Sequence, residues 1–294
     1  MEDFADRDGT IWFNGRLVAW REARVHIMNQ GLNYGLTVIE GERTYAGRIF
    51  RLSEHTERLI ASARAMGFEI PWSRGEIELA TMQVIKASNL RYGFVRVVAW
   101  PGSKYLDLLP RDNDVNLAIA VYGLTAGPDE ATRARGMRVT LTNARRPHPD
   151  SHPAHAKSGA SWAIGSISRQ LAVRNGFDDA IMRDCDGALA GTTGANIFLG
   201  MGDHVVTPAP KGYCAGITRR AAIDLLRARD VRVIERVVSV SELAAAREVF
   251  ITGTAAEITP ITRIDGRDLL IGPNCHIAMK DYRDLVHVAG ELIN

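Results

Sequence analysis

The segment Thr252-Gly253-Thr254-Ala255-Ala256-Glu257-Ile258-Thr259-Pro260 directly follows a predicted strand, Glu248 to Thr252. Its first half consists of small residues, several of which carry hydrogen-bond donors. Backbone and hydroxyl donors at the end of a strand can surround an anion such as a phosphate group. Because Gly-Thr turns are common, this segment indicates a phosphate site only in combination with other motifs.

A second candidate phosphate site lies in Ala215-Gly216-Ile217-Thr218-Arg219-Arg220, which opens a predicted helix from Gly216 to Ala228. Gly216 allows close approach of the backbone to a ligand. The amide groups of Ile217 and Thr218, together with the Thr218 hydroxyl, lie where a helix N-terminus favours a negative charge.

Lys157 stands in Ala156-Lys157-Ser158-Gly159, just before a helix predicted from Ser161 to Asn175 and ended by Gly176. A cation is unfavourable at a helix N-terminus, and a long irregular loop, residues 145–155, precedes it. A lysine that must attack an aldehyde gains from partial burial, because burial lowers the pKa of its amine. Taken alone, however, these features fit an ordinary surface lysine better.

Arg58 is the fourth candidate and lies in Ser53-Glu54-His55-Thr56-Glu57-Arg58-Leu59. The segment has apolar residues at helical spacing, and Ser53 is predicted to cap the helix. Arg58 can reach inward as a planar fork toward a phosphate, or it can remain an exposed helix arginine.

The loop before Lys157 carries three histidines at spacings of four and three residues, His148, His152 and His155. Prolines within this loop exclude a regular helix that would align the three imidazoles. We therefore predict no metal site there.

Composition excludes several classes of protein. A hydrophobic content of 46%, a charged content of 24% and a net charge of +2 are ordinary for a globular protein and argue against nucleic-acid or membrane binding. The chain has no apolar stretch near 18 residues and no signal-peptide pattern at its start. Three cysteines without CxxC spacing favour a reducing cytoplasm over disulfides.

The predicted elements divide the chain into two α+β parts. In the first part we predict a hairpin from Ile11 to Val18 that turns at Asn14-Gly15, and a second helix that Ser73 caps. The remaining predicted strands are Val38–Tyr45, Gly93–Trp100, Val115–Tyr122, Met137–Leu141, Ala180–Arg183, Asn196–Leu199 and Val205–Val206. We predict a small N-terminal domain over residues 1–124, an interdomain loop over 125–136 and a larger domain over 137–294.

Taken together, the four motifs resemble the fold-type IV pyridoxal-phosphate (PLP) enzymes, and most closely the branched-chain aminotransferases. The resemblance runs from about residue 10 to about residue 265 and includes Leu32-Asn33-Tyr34-Gly35, Glu40-Gly41-Glu42-Arg43-Thr44-Tyr45 and Asn196-Ile197-Phe198. It implies a two-domain α+β fold with a smaller N-terminal α/β sandwich-like domain and a larger C-terminal, barrel-like mixed sheet. It also implies pyridoxal 5'-phosphate as cofactor, an amino acid and a 2-oxo acid as substrates, and a homodimer or higher homo-oligomer.

The resemblance assigns roles to individual residues. Lys157 would form the internal aldimine and move a proton between the substrate α-carbon and the cofactor C4′. The other positions that match cofactor-binding residues are Arg58, Trp162, Gly191, Thr192, Asn196, Ile217, Thr218 and Thr254. The positions that match substrate-binding residues are Tyr34, Ile39, Gly41, Arg43, Phe94, Arg96 and Ala255. Among these, Arg96 matches the arginine that binds the distal carboxylate of an acidic substrate.

Gly191 departs from the family pattern, in which a glutamate holds the proton on the pyridine nitrogen. A nearby carboxylate raises the pKa of that nitrogen, and the protonated ring is the stronger electron sink. Thr192, Thr193 or a water could donate to an unprotonated nitrogen instead, or Asp184 or another acid could supply the charge. A weaker sink predicts slower α-proton abstraction, which Gly191→Glu would accelerate.

Four milder departures change the predicted pocket wall. Ile39 stands for the usual phenylalanine, Phe94 and Trp162 for tyrosines, and Val97 for a proline. They leave open whether leucine, isoleucine and valine are the substrates. The leading hypothesis is an L-amino-acid aminotransferase of branched-chain type that uses 2-oxoglutarate or another oxo acid. The alternatives are a D-amino-acid or (R)-amine transaminase, a lyase resembling aminodeoxychorismate lyase, and a PLP-binding protein with little turnover.

Overall fold

The computed structural model describes residues 3–102, 104–109, 115–123, 128–211 and 213–291, with the backbone alone for residues 288–291. The chain forms two compact units. Unit 1 consists of Met1–Ala126, Ala156–Ala160 and Val286–Asn294, and unit 2 consists of Gly127–His155 and Ser161–Leu285.

The strands are numbered in chain order. They are β1 (Thr10–Phe13), β2 (Arg16–Ala19), β3 (Val38–Tyr45), β4 (Arg48–Ile49), β5 (Gly93–Pro101), β6 (Val115–Tyr122), β7 (Met137–Arg145), β8 (Asp179–Arg183), β9 (Leu189–Thr192), β10 (Asn196–Gly200), β11 (Val205–Pro208), β12 (Val233–Arg236), β13 (Glu248–Gly253), β14 (Glu257–Ile264) and β15 (Arg267–Asp268).

The α-helices are numbered in the same way. They are α1 (Gln30–Tyr34), α2 (Leu52–Ala65), α3 (Arg74–Ser88), α4 (Glu130–Arg135), α5 (Ala163–Arg174), α6 (Ile217–Arg227), α7 (Glu242–Ala245) and α8 (Pro273–Glu291).

Unit 1 contains an antiparallel six-stranded sheet in the order β2-β1-β6-β5-β3-β4. The predicted hairpin is confirmed: Phe13 pairs with Arg16, and both turn residues have positive φ, 48° at Asn14 and 96° at Gly15. One face of the sheet packs against α2 and α3, where side chains such as Leu59, Val84 and those of the inner strands form a core.

The two helices of unit 1 begin in different ways. The predicted cap of α3 is confirmed, since Ser73 and Glu76 form a reciprocal capping box. The predicted cap of α2 is wrong: the helix begins at Leu52 after Arg51, which has φ of 55°, and no side chain caps it. The tight turn after β4 brings the chain into the helix before Ser53 is reached.

Unit 2 contains a nine-stranded mixed sheet in the order β12-β11-β10-β13-β14-β7-β8-β9, with β15 paired to β14. The pairs β11–β12, β14–β7 and β7–β8 are parallel, and the other pairs are antiparallel. The sheet curls, so that the terminal strand β9 comes beside β10, where Thr192 N donates to Ala195 O at 2.8 Å. This confirms the predicted barrel-like sheet, whose interior holds residues such as Ile181, Ile197 and Ile251.

The division into units differs from the predicted domain boundaries. Residues 156–160 and 286–294 group with unit 1, although the sequence placed both in the second domain. In addition, α4 lies within the segment predicted as an interdomain loop, because Asp129 caps it by accepting a hydrogen bond from Thr132 N. Residues 125–127 of that predicted loop lie outside the described residues.

The His- and Pro-rich loop contains one short 3-10 turn, Pro149–Ser151. Across the described part of the chain, no cluster of three or more His, Cys, Asp or Glu side chains is arranged to hold a metal ion. No helix in the same residues is long and apolar enough to span a bilayer.

Candidate active site

Lys157 is fixed through its backbone by two elements of unit 1. Its N–H donates to Ser62 Oγ on α2 at 3.0 Å, and its carbonyl oxygen accepts from Ile39 N on β3 at 2.9 Å. Next to it, Ser158 forms an antiparallel bridge with Val38. The lysine segment therefore extends the edge of β3, which explains why residues 156–160 belong to unit 1.

Gly159 makes this close pairing possible. Its N–H donates to Thr37 O at 2.9 Å, and a Cβ atom on Gly159 would lie 2.1 Å from Thr37 Oγ1. Any larger residue would push the lysine segment away from β3. The Lys-x-Gly motif thus combines the amine with the residue that lets its backbone approach the sheet.

One face of α2 points toward Lys157 and β3. His55, Arg58 and Ser62 are spaced three and four residues apart and so lie on the same side of the helix. Arg58 Nε and Nη2 donate to the two Glu40 carboxylate oxygens at 2.6 and 2.8 Å, and His55 Nδ1 lies 2.8 Å from Glu40 Oε2. A fully buried carboxylate of β3 thereby holds the guanidinium in place.

The charges of this cluster follow from burial and pairing. Burial alone would raise the pKa of Glu40, but Arg58 and His55 outweigh it and lower that pKa to about 2. Burial lowers the pKa of His55, more than Glu40 raises it, and the cations Arg58 and Lys157 lower it further. At neutral pH the Arg58 guanidinium therefore lies beside a charged Glu40 carboxylate and an uncharged His55 imidazole.

Glu42 lies two residues after Glu40 on the same face of β3 and is also buried. Its Oε2 has no hydrogen-bond partner among the described residues. Burial, together with the neighbouring Glu40 carboxylate, raises the pKa of Glu42 well above its usual value. Both effects favour the uncharged form of the Glu42 carboxyl group.

The opposite face of β3 carries the predicted substrate residues. Gly41 pairs with Arg96, and a Cβ atom on Gly41 would lie 2.7 Å from the Phe94 ring. The guanidinium of Arg96 lies 5.4 Å from the Phe94 ring centre, and that of Arg43 lies 5.3 Å from the Tyr45 ring centre. Two arginines and two aromatic rings thus share one face of the unit 1 sheet.

The remaining predicted substrate residues lie at separate places. Ile39 is partly buried on the same face of β3 as Gly41, and Tyr34 ends α1 with its ring partly exposed. Ala255 belongs to unit 2 and lies in the turn between β13 and β14.

In unit 2, α6 begins at Ile217, within the segment where an anion site is predicted. Gly216 precedes the helix, and no side chain among the described residues caps it, so the Ile217 and Thr218 amides remain available to a ligand. A Cβ atom on Gly216 would lie 2.2 Å from Asn196 Oδ1. Glycine is therefore required for Asn196 to approach the helix end.

The strand-end segment lies next to this helix N-terminus. Thr252 pairs with Asn196 across the β13–β10 ladder, and its buried hydroxyl has no hydrogen-bond partner among the described residues. Thr254 follows in the turn after β13 and is partly exposed. An unsatisfied buried hydroxyl beside an uncapped helix N-terminus is expected where a ligand supplies the missing acceptor.

Gly191 lies in a β-bulge. Ile181 pairs with Thr192 and Arg183 with Leu189, so β9 has one more residue than β8 in this stretch. Gly191 has φ of 89°, and a Cβ atom there would lie 2.3 Å from Ala195 O. The backbone itself requires glycine, and it therefore opposes the Gly191→Glu repair that the sequence suggests.

The acid that reaches this turn is Asp179. Its Oδ1 accepts from Thr193 Oγ1 at 2.5 Å in the protein interior. Asp184, which the sequence offered as a substitute acid, instead closes its own turn by accepting from Ala188 N at 2.8 Å. The Thr193 hydroxyl is thus engaged with a carboxylate, whereas the buried Thr192 hydroxyl has no partner among the described residues.

Two further contacts fix the turn after β9. Arg146 Nη2 donates to Thr192 O at 2.7 Å. The ring of half-buried Trp162 lies against Gly194, 3.5 Å from the position of a Cβ atom there. A guanidinium, and not a carboxylate, is therefore hydrogen-bonded to the backbone next to Gly191.

Sequence reasoning missed Ser62, Glu40, Asp179 and Arg146. Ser62 had a readable signal, because it lies one helical turn after Arg58 and so shares its face of α2. Asp179 and Arg146 had none, since their partners are distant in sequence and meet them only through the fold.

A lysine fixed between helix and strand, an arginine–carboxylate cluster and an uncapped helix N-terminus are features with which a PLP enzyme would bind its cofactor. The buried Thr252 hydroxyl, which has no hydrogen-bond partner among the described residues, and the uncapped N-terminus of α6 fit a phosphate group.

Comparison with known proteins identifies the class more closely. The model of the family "Amino-transferase class IV" matches residues 37–264. A branched-chain-amino-acid aminotransferase of Pseudomonas aeruginosa is 36% identical over 289 residues, which cover 96% of this chain and 94% of that protein. The chain belongs to the class IV aminotransferase family and is a PLP-dependent aminotransferase that resembles the branched-chain enzymes.

Solved structures agree with this assignment. The branched-chain aminotransferase of Thermoproteus uzoniensis with norvaline has a TM-score of 0.89 at 32% identity, with 97% of each chain covered. The branched-chain aminotransferase of T.th. complexed with N-(5'-phosphopyridoxyl)-L-glutamate has a TM-score of 0.90 at 30% identity, with 96% of this chain and 95% of that chain covered. The substrates of this enzyme are accordingly an amino acid and a 2-oxo acid.

Proposed function

We propose that this aminotransferase moves an amino group between an apolar L-amino acid of branched-chain type and 2-oxoglutarate. The observation that carries the proposal is the face of the unit 1 sheet on which Arg43 and Arg96 lie against the rings of Tyr45 and Phe94. Aromatic surface suits an apolar side chain, and guanidinium groups suit the carboxylates of both substrates.

The relatives support the same pair of substrates. The T. uzoniensis structure contains norvaline, an apolar amino acid, and the T.th. structure contains a phosphopyridoxyl derivative of L-glutamate. An enzyme that accepts both types must bind an apolar side chain and a distal carboxylate in turn. In this chain we propose that Arg96 binds the distal carboxylate of 2-oxoglutarate and L-glutamate.

When bound, the cofactor supplies the carbonyl carbon that accepts the amino group and a ring that withdraws electrons. We propose that Lys157 Nζ holds the cofactor covalently and moves the proton at the substrate α-carbon. The residues that would bind the phosphate are Arg58, Ile217, Thr218 and Thr254, and those that would contact the ring are Trp162, Gly191, Thr192 and Asn196. Tyr34, Ile39, Gly41 and Ala255 would shape the substrate site.

We also propose that no carboxylate contacts the ring nitrogen directly. Gly191 carries none, and the Arg146 guanidinium is hydrogen-bonded to the adjacent Thr192 carbonyl. A cation nearby lowers the pKa of a ring nitrogen. The ring is then a weaker electron sink, so the chemical step is expected to be slower than in an enzyme with a carboxylate there.

A homodimer or higher homo-oligomer is the proposed assembly. Unit 1 exposes large apolar side chains on two segments that Gln30 joins by donating from Nε2 to Asp107 O at 2.5 Å. The exposed residues are Val25, Ile27, Met28, Leu32, Leu108 and Leu109. Exposed apolar side chains grouped on neighbouring segments are typical of a protein interface. The cytoplasmic location inferred from the cysteine pattern stays a prediction.

The test is an amino-transfer assay with purified enzyme and PLP over a panel of donors. Formation of L-glutamate from L-leucine and 2-oxoglutarate supports the proposal. Activity with D-amino acids or (R)-amines alone, or release of pyruvate from aminodeoxychorismate, would replace it with the corresponding alternative. If no donor is turned over, the remaining alternative is a PLP-binding protein with little turnover.

A variant of Arg96 sharpens this assay. Loss of one charge-assisted contact costs about 1.5–3 kcal/mol, so Arg96→Gln should lower kcat/KM for 2-oxoglutarate by about tenfold to a hundredfold. The first half-reaction with L-leucine should change much less. Arg232→Gln, which alters an exposed arginine of unit 2, serves as the control.

A further inference from the structure

We propose that Ser62 is a positioning residue for Lys157: its hydroxyl oxygen fixes the lysine backbone so that Nζ reaches the cofactor carbonyl. The inference rests on the proposed role of Lys157 as the cofactor-binding amine. It concerns a serine that contacts neither substrate nor cofactor in the proposed function.

The contact itself is direct and partly buried. Ser62 is 2% exposed, and its Oγ accepts the Lys157 backbone N–H at 3.0 Å across a separation of 95 residues. The carbonyl of Lys157 is already held by Ile39 N at 2.9 Å. Both backbone polar groups of the lysine therefore have partners, one on a helix and one on a strand.

The Ser62 contact has no substitute close by. Lys157 follows Ala156, which is buried, so water has little access to the lysine N–H. Without the serine oxygen, that donor would be left unsatisfied in the interior, which is unfavourable enough to displace the segment. The backbone hydrogen bond from Gly159 N to Thr37 O holds the far side of the segment, so the shift would fall on Lys157 itself.

The same helix face links the lysine to the proposed phosphate ligand. Arg58 lies one turn before Ser62, and the Glu40 carboxylate of β3 fixes the Arg58 guanidinium. One rigid unit of α2 and β3 thus sets both the arginine and the backbone from which the lysine side chain extends. Displacement of a reacting group by about 1 Å can lower a rate by about a hundredfold.

The measured step is the condensation of Lys157 with PLP, in which Nζ forms a C=N bond to the aldehyde carbon and the aldehyde oxygen leaves as water. Its rate is read from the visible band of the lysine-bound cofactor after PLP is added to the full-length apoenzyme. The pH midpoint of that band and the separate values of kcat and KM are measured on the holoenzyme.

Ser62→Ala should slow the condensation by about tenfold to a hundredfold, move the pH midpoint of the band, and lower kcat more than it raises KM. Alanine favours the helix, so the variant should remain folded. Ser62→Thr keeps the hydroxyl oxygen and should restore most of the rate. Ser168→Ala, which alters another buried helical serine, should behave as the unmodified enzyme.

The outcomes separate the inference from the function on which it rests. If the unmodified enzyme forms the band but Ser62→Ala matches it in rate, midpoint and kcat, the positioning role is overturned and the function stands. If Ser62→Thr is as impaired as Ser62→Ala, packing and not hydrogen bonding is responsible, and the inference fails. If the unmodified enzyme never forms the band, the proposed role of Lys157 fails first.

Discussion

Glu40 and Glu42 lie on one face of β3, but their pKa values shift in opposite directions. Glu40 is paired with Arg58 and His55, whereas the Oε2 atom of Glu42 has no hydrogen-bond partner in the described part of the chain. Pairing lowers the pKa of the first, and burial raises the pKa of the second. Ionisation of Glu42 would place a second negative charge in the core, next to the Glu40 carboxylate.

Stability should therefore depend on pH through Glu42. The pKa of Glu42 in the folded state lies above the unfolded value of 4.5, so the folded state binds the proton more tightly. The stability that this proton contributes is complete below pH 4.5 and is lost as the pH rises toward the folded-state pKa. Because glutamine does not titrate, the free energy of unfolding of Glu42→Gln should rise relative to that of the unmodified enzyme. The rise should be up to about 1.4 kcal/mol per pH unit across that window. Urea denaturation between pH 4 and pH 8 measures this difference.

The groups that face Glu42 decide the size of the effect. They are Glu40 on its own strand, Arg58 on α2 and Glu78 on α3. Glu130→Gln, at an exposed position of α4, is the control and should show no such trend. A Glu42→Gln advantage that is the same at pH 4 and pH 8 would contradict the account.

The backbone conformation at position 191 requires glycine, whatever the role of this position in catalysis. Gly191→Glu combines a strained positive φ with a clash against Ala195 O, and should lower the free energy of unfolding by roughly 2–4 kcal/mol. It should not accelerate the single-turnover reaction with L-leucine. A stable Gly191→Glu enzyme with a faster single turnover would show that the bulge can rebuild.

Gly194→Glu is the matched control for stability. Gly194 lacks a positive φ, and the nearest heavy atom to its added Cβ is a ring carbon of Trp162 at 3.5 Å. This substitution should cost much less than the one at Gly191.

Turns and helix caps, which depend only on neighbouring residues, are predicted well from the sequence. The Asn14-Gly15 turn and the helix cap at Ser73 depend on neighbouring residues and are confirmed. Asp179 and Arg146 act on partners distant in the sequence, so no local pattern reveals them, whereas Ser62 shares a helix face with Arg58. The special backbone of Gly191 follows from a register shift between strands, which the sequence does not show.

At the scale of elements, the N-terminus of α6 has the clearest predicted role. Gly216→Ala introduces a Cβ atom that would lie 2.2 Å from Asn196 Oδ1 and so displaces the helix end or Asn196. Because hydrogen bonds to charged groups contribute about 1.5–3 kcal/mol, PLP affinity should fall by about tenfold or more. Titration of the apoenzyme with PLP, followed by absorbance, measures the change.

Gly266→Ala is the control for this helix. No heavy atom lies within 4 Å of a Cβ atom added at Gly266, and its φ is not positive. Its PLP affinity should match that of the unmodified enzyme. Equal affinity in Gly216→Ala would show that this helix end does not bind the phosphate.

The predicted elements also show where patterns fail. The helix α2 begins before its predicted cap because the preceding turn commits the chain to the helix. The helix α4 occupies a segment that its turn-forming residues made look like a loop, and α8 was not predicted at all. Burial against the rest of the fold, and not local propensity, determines elements of this kind.

At the scale of the whole molecule, the order of the chain does not follow the two compact units. The segment with Lys157 returns from unit 2 to the edge of the unit 1 sheet, and the chain after Leu285 is again part of unit 1. A single predicted boundary cannot capture such a path. The family resemblance did capture the architecture, because the motifs that carry it come from both units.

The most direct test of the central claim is the absorbance of the holoenzyme in a single cycle. We predict a visible band from cofactor bound to Lys157, its loss on addition of L-leucine, and its return on addition of 2-oxoglutarate. Lys157→Ala should show neither the band nor the cycle. A holoenzyme whose band ignores L-leucine and every other L-amino acid, or a band that survives in Lys157→Ala, would contradict the account.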